Sequence, residues 1–231
     1  MEFLKPESRE SYERVQIAAS SEKMAYCKFS YDDAAKYLEI VRQDKGRRRE
    51  PPDCGPIVAL GVRSGREVDC FRIAKRGSSV RRGLVRLLER RRKGFAPRIE
   101  WIEGWGRGGG DSLDQRDCVG VELNPRVRHP DVWVGSFDQL PDAWTGRFEL
   151  AYTNAFDHAY DPEATAACWR RVLRPGGYMV LCFPTDQEAA PIDPVGRLSL
   201  DDVQSLFPGE LIYYRLKGSS WNYTEYVIKL A

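Results

Sequence analysis

The chain has 231 residues, 42% hydrophobic and 30% charged, enough to bury one sizeable core, and it reads as a single domain over residues 1–231. Its formal charge of +2 gives no bulk attraction to nucleic acid or membrane, so a polyanionic partner has to be recognised by local clustering. No stretch approaches a membrane span, and Phe3 and Leu4 are followed at once by Lys5, Pro6 and Glu7, so the expectation is a soluble, cytoplasmic protein without a leader.

Six cysteines (27, 54, 70, 118, 168 and 182) are scattered without a Cys-x-x-Cys pair, and there are only two histidines, His129 and His158. Metal-ligand spacing is therefore absent, and a reducing compartment with no structural metal is expected.

In chain order, residues 6–22 are polar, and Tyr12, Val15, Ile17, Ala18 and Ala19 fit one helical face loosely. Residues 31–41 are a clearer helix: Ala34, Tyr37, Leu38 and Val41 fall at i, i+3, i+4 and i+7, and Asp32 and Asp33 suit the positive end of the helix dipole. These two helices form an amino-terminal arm (residues 1–52) that either covers a binding crevice or packs on the sheet edge. Residues 45–52 are a basic, proline-ended linker.

The organising stretch is residues 57–67. Ile57, Val58, Ala59 and Leu60 make an uninterrupted apolar run, as expected of a parallel strand covered on both faces. Gly61 and Gly65 follow, and glycines between a strand and a helix (here 65–73) let the backbone take positive φ and let a ligand approach closely. The turn lacks Gly-x-Gly-x-x-Gly, which argues against a nicotinamide dehydrogenase.

Between Arg72 and Arg107 stand 12 Lys or Arg against three Glu. Val80, Leu84, Leu87 and Leu88 place an amphipathic helix over 79–93, whose basic face is either simply solvated or a phosphate or RNA site. A short strand over 98–102, Trp101, Trp105 and Gly108–Gly110 complete a basic insertion spanning 77–115.

The second strand, 118–123, ends near an acid, Glu122. A carboxylate at the end of this strand accepts hydrogen bonds from both vicinal hydroxyls of a nucleoside ribose, although it stands 57 residues after Gly65 rather than about 20. Further strands are read at 132–134, 148–154 and 178–183, with a helix over 162–173 stopped by Pro175-Gly176-Gly177. The tail reads as a capped helix over 199–207 and two strands, 210–216 and 223–230, joined at 217–220.

Strand, glycine turn, acid-ended strand, Leu140-Pro141, the run Phe148 to Asn154, and Arg171-Val-Leu-Arg-Pro-Gly-Gly177 together resemble a class I S-adenosylmethionine-dependent methyltransferase of the type 11 kind, over roughly residues 55–185 without the insertion. The resemblance implies an α/β, Rossmann-like, doubly wound seven-stranded sheet with the last strand pair reversed. It implies S-adenosylmethionine as cofactor, with Gly61, Arg63 and Gly65 along its methionyl and ribose part, Glu122 on the ribose, Ser136 and Phe137 beside the adenine, and Asn154 at the reaction mouth. The sequence departs from that pattern at Ala59 and Ser136, where an acid is usual, and at Arg63, where the middle glycine is usual; Asp138 and Glu67 are candidates to compensate. Arg63 is expected to pair with the methionyl carboxylate rather than face the sulfonium, because the first is a charge-assisted contact and the second a repulsive one.

His158 is the candidate catalytic base, its ordinary pKa near 6.5 suiting the role; the competing reading has it ordering its loop with Asp157 or Asp161. The implied activity is methyl transfer to a small-molecule acceptor. The alternatives are an RNA acceptor gripped by the insertion, and a non-catalytic module that keeps the fold, with or without the nucleoside, to bind a nucleoside or regulate a partner. The loop after Asn154 lacks the Asn-Pro-Pro-Tyr form that similar enzymes use on exocyclic base nitrogens.

Overall fold

A computed structural model describes residues 1–22, 29–46, 54–75, 116–217 and 223–231. The basic insertion with its helix and strand, Cys27, most of the linker and the turn between the last two strands lie outside the described residues.

Among the described residues, seven strands form one sheet: β1 Ile57–Leu60, β2 Cys118–Glu122, β3 Val132–Val134, β4 Phe148–Thr153, β5 Leu173–Pro184, β6 Gly209–Lys217 and β7 Tyr223–Leu230. Their order is β3-β2-β1-β4-β5-β7-β6. β1 to β5 are mutually parallel, and the last two strands are reversed in space, with β7 inserted antiparallel between β5 and β6.

The period-2 alternation of the strands divides two cores. On one face Ile57, Ala59, Leu150, Tyr152, Val180 and Val227 pack with helix α2 (Tyr31–Asp44) and helix α3 (Arg66–Lys75). On the other, Val58, Leu60, Val121, Ala151, Leu181 and Ile228 pack with Trp169 of α4 (Pro162–Val172) and Val203 of α5 (Leu200–Leu206). A strand buried on both faces has to be apolar throughout, which is why all four residues of β1 are buried.

Local chemistry sets the helix starts. Ser30 and Asp33 form a reciprocal capping box on α2, as Ser199 and Asp202 do on α5. Asp161 caps α4 by accepting from the Ala164 N–H, with Pro162 in the first turn. One boundary differs from the sequence reading: β5 begins at Leu173, paired with Phe148, and Arg174 to Gly177 bulge out before pairing resumes at Tyr178. The Pro-Gly-Gly segment thus sits inside a strand irregularity, where Gly176 takes a φ of 68°.

The two amino-terminal helices take the two roles left open by the sequence. α2 buries Ala34, Tyr37, Leu38 and Val41 in the sheet core. α1 (Arg9–Glu22) buries only Tyr12 and lies at the crevice. Its approach is fixed by a bridge from Phe3 to Val195 and by backbone bonds from Leu4 N–H to Pro194 O and from Gly196 N–H to Glu2 O. Among the described residues no helix is long and apolar enough to cross a membrane.

Candidate functional site

In this strand order β1 and β4 are neighbours, and the connections from their carboxyl ends run in opposite directions, to β2 and to β5; open α/β sheets hold ligands at that point. A cleft of about 190 Å³ opens there. Gly61, Arg63, Glu122, Ser136, Phe137, Asn154 and His158 all line it. Gly65 does not: it closes the turn beneath, where an added Cβ would stand 2.6 Å from His129 Cγ, at a φ of 81°.

The turn after β1 is built for close approach. Gly61 has a φ of 77°, and a Cβ there would lie 2.6 Å from Ala155 Cβ. Arg63 is the one non-glycine with positive φ among the described residues, at 46°. It keeps the backbone form that a glycine takes easily and that costs an ordinary residue about 1–2 kcal/mol. Its N–H donates to Glu122 Oε2 at 2.7 Å, a charge-assisted bond that holds the turn in this form.

Glu122 is 5% exposed and accepts two further bonds on Oε1, from Asn124 N–H at 3.0 Å and from Ser20 Oγ at 3.1 Å. The serine comes from α1, whose Tyr12, Gln16 and Ser20 fall at i, i+4 and i+8 and therefore share one face. At the other end of that face Tyr12 Oη donates to His158 O at 2.9 Å, and Gln16 Nε2 donates to Ile192 O at 2.5 Å. Eight residues of helix rise about 12 Å, so α1 spans the cleft from the Glu122 end to the His158 end.

Beside the turn, Phe137 packs edge-on against Trp169 with ring centroids 5.5 Å apart, and its carbonyl accepts from Trp169 Nε1 at 2.8 Å. Asp138 accepts from Thr165 Oγ1 at 2.6 Å, and burial holds its carboxyl above the usual carboxylate range. Glu67, also 4% exposed, lines the turn side of the cleft. Ala59, by contrast, is 1% exposed within the α2–α3 core.

At the far end His158 Nδ1 stands 2.8 Å from Asp193 Oδ1 and 3.3 Å from Ile192 O, while Nε2 is 4.0 Å from Asp157 Oδ1. Burial alone would lower the imidazole pKa, but the two carboxylates outweigh it and push it up to about 9. This favours the charged imidazolium over the neutral imidazole that a general base requires, and it places Asp157, one of the two carboxylates expected to order the loop, beside the ring. Asp161, the other suggested partner, is engaged in capping α4. Asp157, His158 and Asp193 offer one ligand atom each within 4.8 Å of one another, a group able to surround a cation; the imidazolium itself supplies positive charge there.

The residues missed in the sequence are Tyr12, Gln16 and Ser20 on α1, and Asp193 in the loop after β5. The helical spacing of the first three was legible, but not that this face meets the cleft. Asp193 was findable from the rule that loops following adjacent parallel strands open at the same end of a sheet. The described cysteines carry no site: all but Cys168 are buried, and burial pushes the Cys118 and Cys182 thiols up to about 12.

No protein-family model and no curated protein matches the chain. Among solved structures it is similar to Burkholderia thailandensis 1,6-didemethyltoxoflavin-N1-methyltransferase with bound 1,6-didemethyltoxoflavin and S-adenosylhomocysteine: TM-score 0.59, 11% identity, 99% of this chain and 92% of that one. It is also similar to the CMeT domain of the citrinin polyketide synthase, with a TM-score of 0.51, 15% identity, 97% of this chain and 57% of that one.

Proposed function

From the class I S-adenosylmethionine-dependent methyltransferase fold that the chain has, we propose that its cleft binds S-adenosylmethionine and that the protein transfers the methyl group to a small-molecule acceptor. The observation that carries the reading is Glu122: a buried carboxylate at the end of β2, tied to the glycine turn through Arg63 N–H and facing a cleft. A carboxylate offers about four acceptor positions, and three are used within the chain, which leaves one for a ribose hydroxyl.

Ser136 and Phe137 would border the adenine, with the Phe137 ring held by Trp169. Arg63 would pair with the methionyl carboxylate, and Asn154 would sit at the reaction mouth. The bound donor supplies an electrophilic methyl group on a sulfonium, so the chain's own task is alignment, a proximity contribution of about 7–11 kcal/mol. His158 belongs to the acceptor end, where at neutral pH it holds its proton and fixes Asp157 and Asp193 rather than acting as a free base. The small-molecule reading is favoured over RNA because the cleft is lined with carboxylates, which repel a polyanion. The Burkholderia enzyme, crystallised with 1,6-didemethyltoxoflavin and S-adenosylhomocysteine bound, supports it by analogy of fold.

Calorimetric titration with S-adenosylmethionine and S-adenosylhomocysteine tests the donor site. Saturable binding that is lost in Glu122→Ala supports it, and Arg63→Ala should bind several-fold more weakly. Unchanged affinity in Arg63→Ala would remove that residue's assigned role. No binding of either compound to folded protein would refute the donor site in favour of a non-catalytic module.

A further inference from the structure

The electrostatic balance of the cleft names a chemical class for its second ligand, on the premise that the donor reading above holds. Six carboxylates line it, Glu13, Glu67, Glu122, Asp138, Asp157 and Asp193, against two cationic lining side chains, Arg63 and His158, and against Arg9 at the rim, which pairs with Glu13 and Asp138. The formal excess is three negative charges. S-adenosylmethionine, with a sulfonium, an ammonium and a carboxylate, carries one net positive charge, so two negative charges remain facing whatever binds beside it.

The excess is concentrated where the acceptor has to sit. Asp157 is 8% exposed and lines the cleft; its carboxylate has the Gln187 side chain and His158 Nε2, 4.0 Å away, as neighbours, and its buried Oδ1 is within hydrogen-bond geometry of neither. A buried carboxylate oxygen without a donor costs stability, so it points to a ligand that brings one. The Asp193 side chain is 30% exposed and shares the single charge of His158 with Asp157, so with both carboxylates ionised the pair retains one net negative charge. The rim already accommodates a cation against an aromatic ring: Arg9 lies over the Tyr160 ring, 4.6 Å from its centroid, and Tyr160 packs against cleft-lining Tyr12 at 5.9 Å.

We propose that the acceptor is a small molecule bearing a protonated amine, whose ammonium is bound by Asp157 and Asp193 beneath α1. An ammonium has three donors and one positive charge, which meets both the unfilled oxygen and the charge excess; a neutral alcohol meets only the first, and a carboxylate or phosphate meets neither. Before it can act as a nucleophile the amine gives one proton to the Asp157 carboxylate, leaving a neutral amine with its lone pair and a carboxylic acid. Asp157 suits that exchange, since burial holds its carboxyl above the ordinary range and so makes it a stronger base than a solvated carboxylate.

The test uses three probes of one size and different charge, 2-phenylethylamine, 2-phenylethanol and phenylacetate, titrated calorimetrically into the full chain saturated with S-adenosylhomocysteine. The amine should bind at least tenfold more tightly than the alcohol, with the carboxylate weakest. Asp157→Asn and Asp193→Asn should each weaken amine binding about tenfold or more while leaving S-adenosylhomocysteine affinity within twofold. Equal binding of the three probes, preference for phenylacetate, or amine binding indifferent to both substitutions would overturn the amine assignment with the donor site intact. So would tight Mg²⁺ or Mn²⁺ binding that is lost in Asp193→Asn, because the carboxylates would then serve a metal ion. Absence of S-adenosylhomocysteine binding is a different result: it strikes the donor reading, and the amine falls with it as a methyl acceptor.

Discussion

The charge state of His158 is open to direct measurement and has a thermodynamic consequence. With its pKa raised from 6.5 to about 9, the folded protein holds a proton that the unfolded chain releases in between. The sign follows: the imidazolium's stabilisation is fully present below pH 6.5 and is lost as pH rises through about 9. At about 1.4 kcal/mol per pH unit the interval corresponds to about 3 kcal/mol, an upper value because the side chain is 23% exposed. Asp157, whose carboxyl is also held up by burial, acts in the same direction at lower pH. Urea unfolding of wild type and His158→Gln between pH 6 and 10 should show a stability difference of up to about 3 kcal/mol at pH 6 that shrinks towards zero by pH 10; taking the difference cancels the Tyr, Lys and Cys titrations common to both. With only two histidines in the chain, NMR titration assigns the His158 ring by comparison with His129→Gln. A His158 midpoint at or below 6.5, or a stability difference flat in pH, would refute the ion-pair account.

Three further outcomes follow from the packing. Glu122→Gln keeps the volume but replaces an acceptor with a donor facing N–H groups; at about 1.5–3 kcal/mol per charge-assisted bond, S-adenosylhomocysteine affinity should fall tenfold or more, and unaltered calorimetric affinity would contradict the ribose role. Gly61→Ala meets both a positive φ and Ala155 Cβ at 2.6 Å, so it should cost about 1–3 kcal/mol, read as a fall in Tm of about 2–4 °C per kcal/mol; an unchanged Tm would show that the turn is not held as described. Glu149 is 1% exposed at the opposite end of the sheet, where it pairs with Lys45 and Arg174 and accepts from Gly55 N–H. Its two cations are near enough to the surface to turn to water, so Glu149→Ala should cost about 1–3 kcal/mol in urea unfolding without changing S-adenosylhomocysteine affinity; a weakened donor site would mean that the two ends of the sheet are coupled.

The order of elements, the glycine turn, the acid at the end of β2 and the capped helix beginning at Ser199 were all determined by the sequence alone. Each is a local signal: a period of two or 3.6, a glycine between strand and helix, or a polar side chain three residues before the N–H it caps. The Pro-Gly-Gly boundary was misplaced because pairing of Leu173 with Phe148 restarted the strand before the bulge, a decision made by the neighbouring strand. Only the tertiary structure decided that α1 covers the cleft, that Ser20 reaches Glu122 from 102 residues away, and that Asp193 meets His158 from the loop after β5. The proton on His158 belongs to the same class, since its affinity depends on burial and on two carboxylates brought close to the ring, and a chain read residue by residue carries the identities of those groups without their distances.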